Sequence, residues 1–166
     1  MIFDALTILS GAISAAGGIT GQAANGAGNI LGTNTLDMAG SGGVNGGIFP
    51  TDAGAGEPID ISISVLSAPT VGTSVQFQLI QADDAALTVN VQVLSQSDAF
   101  PIASLPTGAV VYLHADQAAP YVAKRYIGLR YVNTGAIATA SYFGSVVKNA
   151  QSPRTAGLVK SGFAIA

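Results

Sequence analysis

The chain has 166 residues, the length of one ordinary domain, and only 9% of them are charged, against roughly 25% in an average soluble domain. Its hydrophobic share is 49%, which excludes the low-hydrophobicity, high-charge class of disordered proteins. Zero Cys excludes a disulfide framework and a thiol nucleophile, and a single His excludes the usual multi-His metal sites. We therefore expect neither a metal nor a cofactor.

The few charges are segregated along the chain. All nine acidic residues lie between Asp4 and Asp116, and all six basic residues lie between Lys124 and Lys160. A nucleic-acid-binding domain needs a basic face, so nucleic acid is not expected as a partner. No stretch supplies the roughly 20 consecutive apolar residues of a membrane span, and Asp4 stands where a signal peptide carries a basic residue. We expect a soluble protein that is not exported and has no membrane partner.

Glycine marks the first third of the chain as different from the rest. Fourteen of the 21 glycines lie between Gly11 and Gly56, and glycine at this density raises the entropic cost of ordering the backbone. Residues 1–56 are therefore predicted to form an extended N-terminal arm that contributes one strand, at 29–37. Residues 38–55 read as a long Gly-rich loop, and loops of that length are usually functional or disordered.

From residue 59 the hydrophobic pattern becomes that of strands. Ile59-Asp60-Ile61-Ser62-Ile63-Ser64-Val65 alternates strictly between apolar and polar residues, which is typical of a strand with one buried face. Further strands are predicted at 75–79, 87–93, 100–104, 108–115, 124–132 and 137–148, separated by turn residues at Pro69, Gly72, Asp83-Asp84, 106–108, Pro120 and 133–135. About eight regularly spaced strands are typical of a sandwich or a barrel. Eight antiparallel strands in two sheets also describe a jelly roll, although spacing alone does not fix the strand order. We predict an all-β antiparallel sandwich of jelly-roll type over 57–150. Residues 151–166 read as a C-terminal extension.

The polar positions of these strands are mostly uncharged, for example Ser62, Ser64, Gln76, Gln78 and Gln92. Charged residues are depleted at interface cores, and exposed edge strands are usually protected by charge. Neutral strand faces therefore favour a protein that is covered by copies of itself or by a partner. A solvated neutral surface is the alternative.

The sequence contains no convincing catalytic constellation. His114 and Asp116 fall on one side of a strand, but a triad is recognised by geometry, and a hydrogen-bonded structural His is the better interpretation. The pair Asp83-Asp84 lacks a calcium-loop pattern and favours a turn. The Gly-rich segment 26–32 has the wrong spacing for a phosphate loop. Paired carboxylates for glycoside chemistry stay open, although Glu57 is the only Glu and Trp is absent. We expect no enzymatic activity.

The most informative cluster is basic and aromatic. All five tyrosines and all six cations occur from residue 112 onward, and Arg and Tyr are enriched at binding hot spots. Alternation places residues 126, 128 and 130 on one strand face and residues 125, 127, 129 and 131 on the other. The candidate contacts to a capsid or to another subunit are Lys124, Arg125, Tyr126, Arg130 and Tyr131. The alternative is ordinary surface ion pairing of these cations with Asp60, Asp83 or Asp98.

A succession of short motifs resembles a known family. The motifs are Met1-Ile2-Phe3-Asp4-Ala5, Asn34-Thr35-Leu36-Asp37-Met38, Gly56-Glu57-Pro58, Leu105-Pro106-Thr107-Gly108-Ala109, Arg125-Tyr126-Ile127-Gly128-Leu129-Arg130-Tyr131 and Val146-Val147-Lys148. In their order and spacing over most of 1–150 they are similar to the jelly-roll capsid cement (decoration) proteins of tailed bacteriophages with podovirus-type heads. The Gly-rich insert at 38–55 departs from that family's pattern.

The resemblance implies a structural virion protein on the outside of an assembled phage head. Such a protein is made in the host cytoplasm, cements neighbouring major capsid subunits and acts as a homo-oligomer, a dimer or a trimer. It has no catalytic or cofactor-binding residues to carry over. The alternative is a carbohydrate- or receptor-binding jelly-roll protein on a virion or cell surface. A third possibility is a self-polymerising surface-layer or adhesin subunit.

Overall fold

The computed structural model describes residues 7–38, 59–115 and 124–147. Within these ranges no α-helix occurs, and a 3-10 turn spans Ile102–Ser104. The strands in chain order are β1 (Ile8–Ser10), β2 (Ala12–Ile13), β3 (Ile19–Thr20), β4 (Gln22–Ala23), β5 (Gly26–Asp37), β6 (Ile59–Thr70), β7 (Ser74–Ala82), β8 (Gln92–Gln96), β9 (Phe100–Pro101), β10 (Val110–Ala115), β11 (Tyr126–Ile137) and β12 (Thr139–Val147).

The strands form two five-stranded sheets and one small hairpin. Sheet I has the order β1-β12-β6-β10, and β4 also pairs with β12; sheet II has the order β5-β11-β7-β8, and β9 also pairs with β7. β2 and β3 pair with each other. Every pairing is antiparallel. The prediction of an all-β antiparallel sandwich is confirmed.

The connectivity of the eight main strands is nested. The first of them, β1, pairs with the last, β12, and the second, β5, pairs with the seventh, β11. Likewise β6 pairs with β10, and the middle strands β7 and β8 pair with each other. The chain crosses from one sheet to the other after each of these strands except β7.

The core lies between the inner faces of the two sheets, and period-2 alternation explains why. In β6, Ile61, Ile63 and Val65 are fully buried, while the alternating Ser62 and Ser64 stay partly exposed. The inner face of β7 supplies another buried set, Val75, Phe77 and Leu79. Each fully buried side chain of this size contributes about 1.5–3 kcal/mol relative to exposure. Alternating residues on both sheets thus hold them face to face.

An aromatic group occupies the centre of the sandwich. The rings of Tyr131 and Tyr142 lie 4.9 Å apart between centroids, and Phe77 lies 5.8 Å from the first and 5.2 Å from the second. All three residues are fully buried. Both tyrosine hydroxyls are buried, and among the described residues neither makes a well-formed hydrogen bond, although the Tyr131 hydroxyl lies near the Ser10 side chain. Burial raises the pKa of Tyr142 to about 12 and raises the pKa of Tyr131 even more strongly.

These two tyrosines predict a loss of stability at alkaline pH. Because the fold favours their neutral form, the stabilisation is fully present below the pKa of an unfolded tyrosine, about 10, and is lost as the pH rises through the folded pKa of Tyr142. We expect the free energy of unfolding to fall between pH 10 and 12 in denaturant titrations. The double variant Tyr131→Phe, Tyr142→Phe should fall less steeply. A stability that is the same at pH 8 and pH 11.5 contradicts this assignment.

The N-terminal segment is more extensively built into the sandwich than the sequence predicts. Three of its strands join the sheets, β1 and β4 in sheet I and β5 in sheet II, where one strand at 29–37 is predicted. The buried amide of Asn133 donates to the carbonyls of Ala24 and Gly26 at 2.9 and 3.0 Å. Gln22 reaches β5, donating to the Leu31 carbonyl and accepting from the Thr33 amide. The loop expected at 38–55 and the extension expected at 151–166 lie outside the described residues, except for Met38.

The predicted strand at 87–93 is wrong, because side-chain hydrogen bonds impose a turn. The Asp84 carboxylate accepts hydrogen bonds from the backbone amides of Val89 and Thr88 and from the Thr88 hydroxyl, each at 2.8 Å. These bonds hold the pKa of Asp84 below its usual range, the Val89 amide contributing most. Leu87 and Asn90 take positive φ, 55° and 49°, which a strand does not allow. The strand begins only at Gln92.

Other boundaries differ where a turn residue sits inside a strand. The predicted turn at 133–135 lies within β11, as a register irregularity opposite β5. Pro69 lies within β6, at a register shift opposite β12. The ladder has no pair at this position, so the proline is tolerated although it lacks an N–H group. The predicted strand at 100–104 is shorter, since Ile102 begins the 3-10 turn.

Candidate interaction site

The basic and aromatic cluster lies on β11, the second strand of sheet II, and on the two residues before it. Ile127, Leu129 and Tyr131 point into the core between the sheets. Tyr126 packs with a small apolar group on the outer face of sheet II, formed with Ile80, Ala82 and Leu87. The division of this segment into two faces, which alternation predicts, is therefore confirmed for these residues.

Two of the cations are paired within the chain. The Lys124 ammonium lies 2.8 Å from Asp83 Oδ1, and its hydrogen bond holds the pKa of Asp83 below the usual range. Arg125 makes a bidentate pair with Asp37, Nε to Oδ1 at 2.9 Å and Nη2 to Oδ2 at 2.8 Å, which raises the arginine pKa. Its guanidinium also lies 5.0 Å from the Tyr126 ring centroid. Lys124 thus forms a surface ion pair with Asp83, as the alternative interpretation predicts. Arg125 also pairs within the chain, but with Asp37, which is not among the aspartates named there.

Arg130 is placed differently from these two cations. Its Nε donates to Gln78 Oε1 at 2.7 Å, and among the described residues no carboxylate pairs with it. It is partly exposed on the outer face of sheet II. Of the two candidate arginines, Arg130 therefore has more N–H donors left for a partner outside the chain.

Tyr131 is excluded as a contact residue. Its side chain is fully buried and lies against Phe77 and Tyr142, so it cannot reach another protein without opening the sandwich. The sequence prediction for this residue is wrong because β11 turns Tyr131 towards the core. Lys124, Arg125, Tyr126 and Arg130 are all at least partly exposed, and their contacts to a capsid or another subunit stay a prediction.

His114 is hydrogen-bonded to an aspartate of the neighbouring strand. The register sets it opposite Asp60, and its Nδ1 lies 2.6 Å from Asp60 Oδ1. Its companion in the sequence, Asp116, lies outside the described residues. Within 7–38, 59–115 and 124–147, no three His, Cys, Asp or Glu side chains are grouped as a metal site would require.

Sequence reasoning missed the glutamine network beside Arg130. Gln78 is almost fully buried, at 7% exposure, and its Nε2 donates to Gln76 Oε1 at 3.1 Å and to Gln96 Oε1 at 3.0 Å. Gln76 Nε2 in turn donates to the Ser97 carbonyl. The signal in the sequence is the uncharged polar residue at the outward positions in the first half of β7, Ser74, Gln76 and Gln78, and at Gln96 of β8. Which of these residues bond to each other depends on the strand pairing.

The outer face of sheet I is a second uncharged surface. The register aligns Val110 with Ser64, and Tyr112 with Ser62, so the accessible part of this face lies over β6 and β10. On the neighbouring strand β12, Phe143 and Ser145 lie beside these serines but are buried. Leu66 and Val110 are exposed, at 37% and 36%. The described titratable side chains of β6 and β10 on this face are Asp60 and His114, which bond to each other at one end of these strands.

The fold defines the class of the protein as an antiparallel β-sandwich. The family model named Bbp16 matches residues 14–147. The chain therefore belongs to the Bbp16 family, which is phage-associated. A search of curated proteins gives no match. The described part of the chain contains no helix of the length and apolarity needed to cross a membrane.

Proposed function

We propose that this chain is a structural virion protein that binds the outer surface of an assembled phage head and cements neighbouring major capsid subunits. Membership of a phage-associated family supports a role in a phage particle. The nested pairing of β1 with β12, β5 with β11, β6 with β10 and β7 with β8 supports a jelly-roll sandwich, because a jelly roll is an antiparallel chain rolled into two sheets. The motifs that resemble cement proteins agree with this assignment.

The observation that carries the proposal is the neutral outer face of sheet I. Ser62 and Ser64 lie at its centre, flanked by Tyr112 and by the exposed apolar side chains of Leu66 and Val110. Interface cores are depleted of charge and enriched in aromatic residues, and charges collect at the rim. The Asp60–His114 pair lies at the end of the face, where a rim is expected. This face is the surface that we assign to the capsid.

In this proposal, association into a homo-oligomer strengthens binding to the capsid. Each copy contributes one capsid-binding face, and linked binding events gain effective concentration without any new contact. Individually weak contacts then give stable occupancy when they are repeated over the head. The resulting location is the capsid exterior, with major capsid protein as the partner and no chemistry on a substrate.

A single charge at the centre of the face tests this proposal. Ser64→Glu places a carboxylate where binding must exclude water, and an unpaired charge in such a position is strongly unfavourable. We expect at least about a tenfold weaker binding to heads that lack the protein, a loss of roughly 1.4 kcal/mol. The measurement is co-sedimentation with purified heads over a concentration series, with cryo-electron microscopy of the wild-type particle.

The matched control is Ser104→Glu, which adds the same charge at an exposed residue of the 3-10 turn. This variant should bind like the wild type. If Ser64→Glu and Ser64→Arg both bind heads as tightly as the wild type, sheet I is not the capsid face. Binding of the free protein to a glycan array without binding to heads would favour the carbohydrate-binding alternative.

A further inference from the structure

Val71 has the most exposed large apolar side chain among the described residues. It is 64% exposed and lies in the connection from β6 to β7, at the end of the sandwich where β7 and β12 begin. Its φ is 59°, in the left-handed region. A β-branched residue is a genuine outlier there, because its Cβ substituents crowd the backbone. Val71 therefore combines an exposed apolar surface with a strained backbone.

The other two non-glycine residues with positive φ have a visible compensation. Leu87 is buried, at 3% exposure, in the apolar group on the outer face of sheet II. Asn90 is of a residue type that tolerates the left-handed region, and its amide donates to Asp83 Oδ2 at 2.7 Å. Val71 is neither buried nor able to form a side-chain hydrogen bond. Within the described structure, nothing offsets its strain.

Hydrogen bonds fix the backbone on both sides of Val71. The Thr70 carbonyl accepts from the amide of Ala138, which lies between β11 and β12. The Thr73 amide donates to the carbonyl of Thr134, near the end of β11, and both bonds measure 2.8 Å. The connection is thus tied to the neighbouring segment immediately before and after its strained residue.

Two glycines bring these segments into direct contact. Gly72 and Gly135 take positive φ, 82° and 79°. A Cβ atom on Gly135 would lie 3.0 Å from the Gly72 Cα, and one on Gly72 would meet the side chain of Ile137. The segments therefore meet backbone to backbone, and φ of Val71 cannot relax without separating them. The conformation of this residue is imposed by its surroundings.

The end of the sandwich around Val71 carries no charge. We call residues 70–73 and 134–139 the neutral end; most of them are exposed, and none is ionisable. The bonded pairs lie at the opposite end, where β11 begins, and they are Asp37 with Arg125, Asp60 with His114 and Asp83 with Lys124. Interface cores are depleted of charge. The neutral end therefore has the composition of a buried contact.

The neutral end continues the face of sheet I that we assign to the capsid. Ser62, Ser64 and Leu66 alternate along the outer side of β6, and Val71 follows the end of the same strand. The extended chain from Leu66 to Val71 spans at most about 18 Å. A standard interface of roughly 800 Å² per partner covers such a distance.

We propose that Val71 is an anchor of the capsid contact, a preformed apolar tip that enters an apolar pocket on the major capsid protein. A side chain that is held rigidly before binding loses little freedom when it docks. Strained residues persist where the surrounding structure over-determines them, and they cluster at binding sites. The inference rests on the proposed function and deepens it, since it names the residue that enters the partner and the chemistry of the surface that receives it.

Val71→Asn separates the cost of this residue in the free protein from its benefit in binding. Asparagine tolerates the left-handed region, so we expect the thermal unfolding temperature to rise by about 2–4 °C. Binding of the same variant to heads that lack the protein should weaken at least about tenfold in co-sedimentation, because the apolar contact is lost. Val71→Ile keeps a branched apolar side chain and should bind within about threefold of the wild type.

The matched control is Val89→Asn, the same substitution at a second exposed valine. Val89 is 49% exposed and lies in the turn after Asp84, away from the neutral end. This variant should bind heads like the wild type. If Val89→Asn weakens binding as much as Val71→Asn does, the loss reflects general surface polarity, and Val71 is not an anchor.

A thiol label reports directly whether this position is covered. The chain has no Cys, so Val71→Cys and Val89→Cys each introduce a unique thiol. We expect maleimide to modify the Val71→Cys protein more slowly on heads than in solution, whereas the Val89→Cys protein reacts equally in both states. Equal protection of the Val71→Cys protein at high concentration without heads would show that the tip docks on a second copy, which overturns the assignment to the capsid protein.

The outcomes distinguish this inference from the proposed function. If Val71→Asn binds heads as tightly as the wild type while Ser64→Glu does not, the anchor is wrong and the proposed function stands. A wild type that does not bind heads overturns both. An unfolding temperature that falls in Val71→Asn shows that the valine is not strained, which removes the basis of the anchor even where head binding is confirmed.

Discussion

Phe77→Ala should lower the free energy of unfolding by about 3–5 kcal/mol, the usual cost of removing a large aromatic side chain from a core. Phe77 is fully buried on β7 and lies against the rings of Phe100, Tyr131 and Tyr142. Its removal leaves a cavity that both sheets line, and the surrounding β-strands cannot close it without losing ladder hydrogen bonds. Chemical denaturation at neutral pH gives the change directly.

The control for this variant is Val89→Ala. Val89 is 49% exposed and lies in the turn after Asp84, so its truncation should change stability by no more than about 0.5 kcal/mol. If Phe77→Ala costs less than about 1 kcal/mol, the aromatic group is not the packing centre of the sandwich.

Asn133→Ala should destabilise the fold by about 1–3 kcal/mol, because it leaves buried carbonyl groups without a donor. The lost bonds are those from the Asn133 amide to the Ala24 and Gly26 carbonyls, between which the chain passes from sheet I to sheet II. Hydrogen exchange should report faster opening of β4 and β5 in this variant, while β7 keeps its protection.

Asn133→Asp separates the loss of donors from the loss of volume. The carboxylate retains the shape of the amide but donates nothing when ionised, and it faces carbonyl oxygens, so at neutral pH it should destabilise more than alanine does. Protonation restores one donor, and the deficit of this variant relative to Asn133→Ala should shrink at acidic pH. Equal stability of Asn133→Ala and the wild type would show that this amide does not hold the N-terminal segment.

The parts of the fold that the sequence predicts correctly are those where one local signal decides the structure. Strict alternation from residue 59 to residue 65 produces β6, with its isoleucines inside and its serines outside. The strand at 87–93 fails because Asp84, before the segment, competes for its backbone amides. The expected turn at 133–135 fails because Asn133 and Thr134 continue the ladder with β7, a strand more than fifty residues earlier in the chain.

The same distinction applies to the candidate site. Alternation assigns Tyr126 and Tyr131 to opposite faces of one strand. Which of the two faces is buried depends on where the second sheet packs. The prediction of Tyr131 as a contact residue is wrong because its face is the buried one. The pairing of Lys124 with Asp83 is among the alternatives that the charges allow. The bidentate pair of Arg125 with Asp37 depends on β5 lying beside β11. The glutamine support of Arg130 likewise requires the register of β7 with β8.

The nested strand pairing has a consequence for how quickly the protein reaches its structure. The β7–β8 contact joins segments close in sequence, whereas the β1–β12 contact joins the two ends of the described chain. The chain loses the entropy of closing long loops before strands distant in sequence can form their contacts. Folds with many such pairings therefore fold in milliseconds to seconds rather than microseconds. The outermost pair of the nest, β1 with β12, is then the natural last step of assembly, after the middle strands have already made a surface on which the ends can meet.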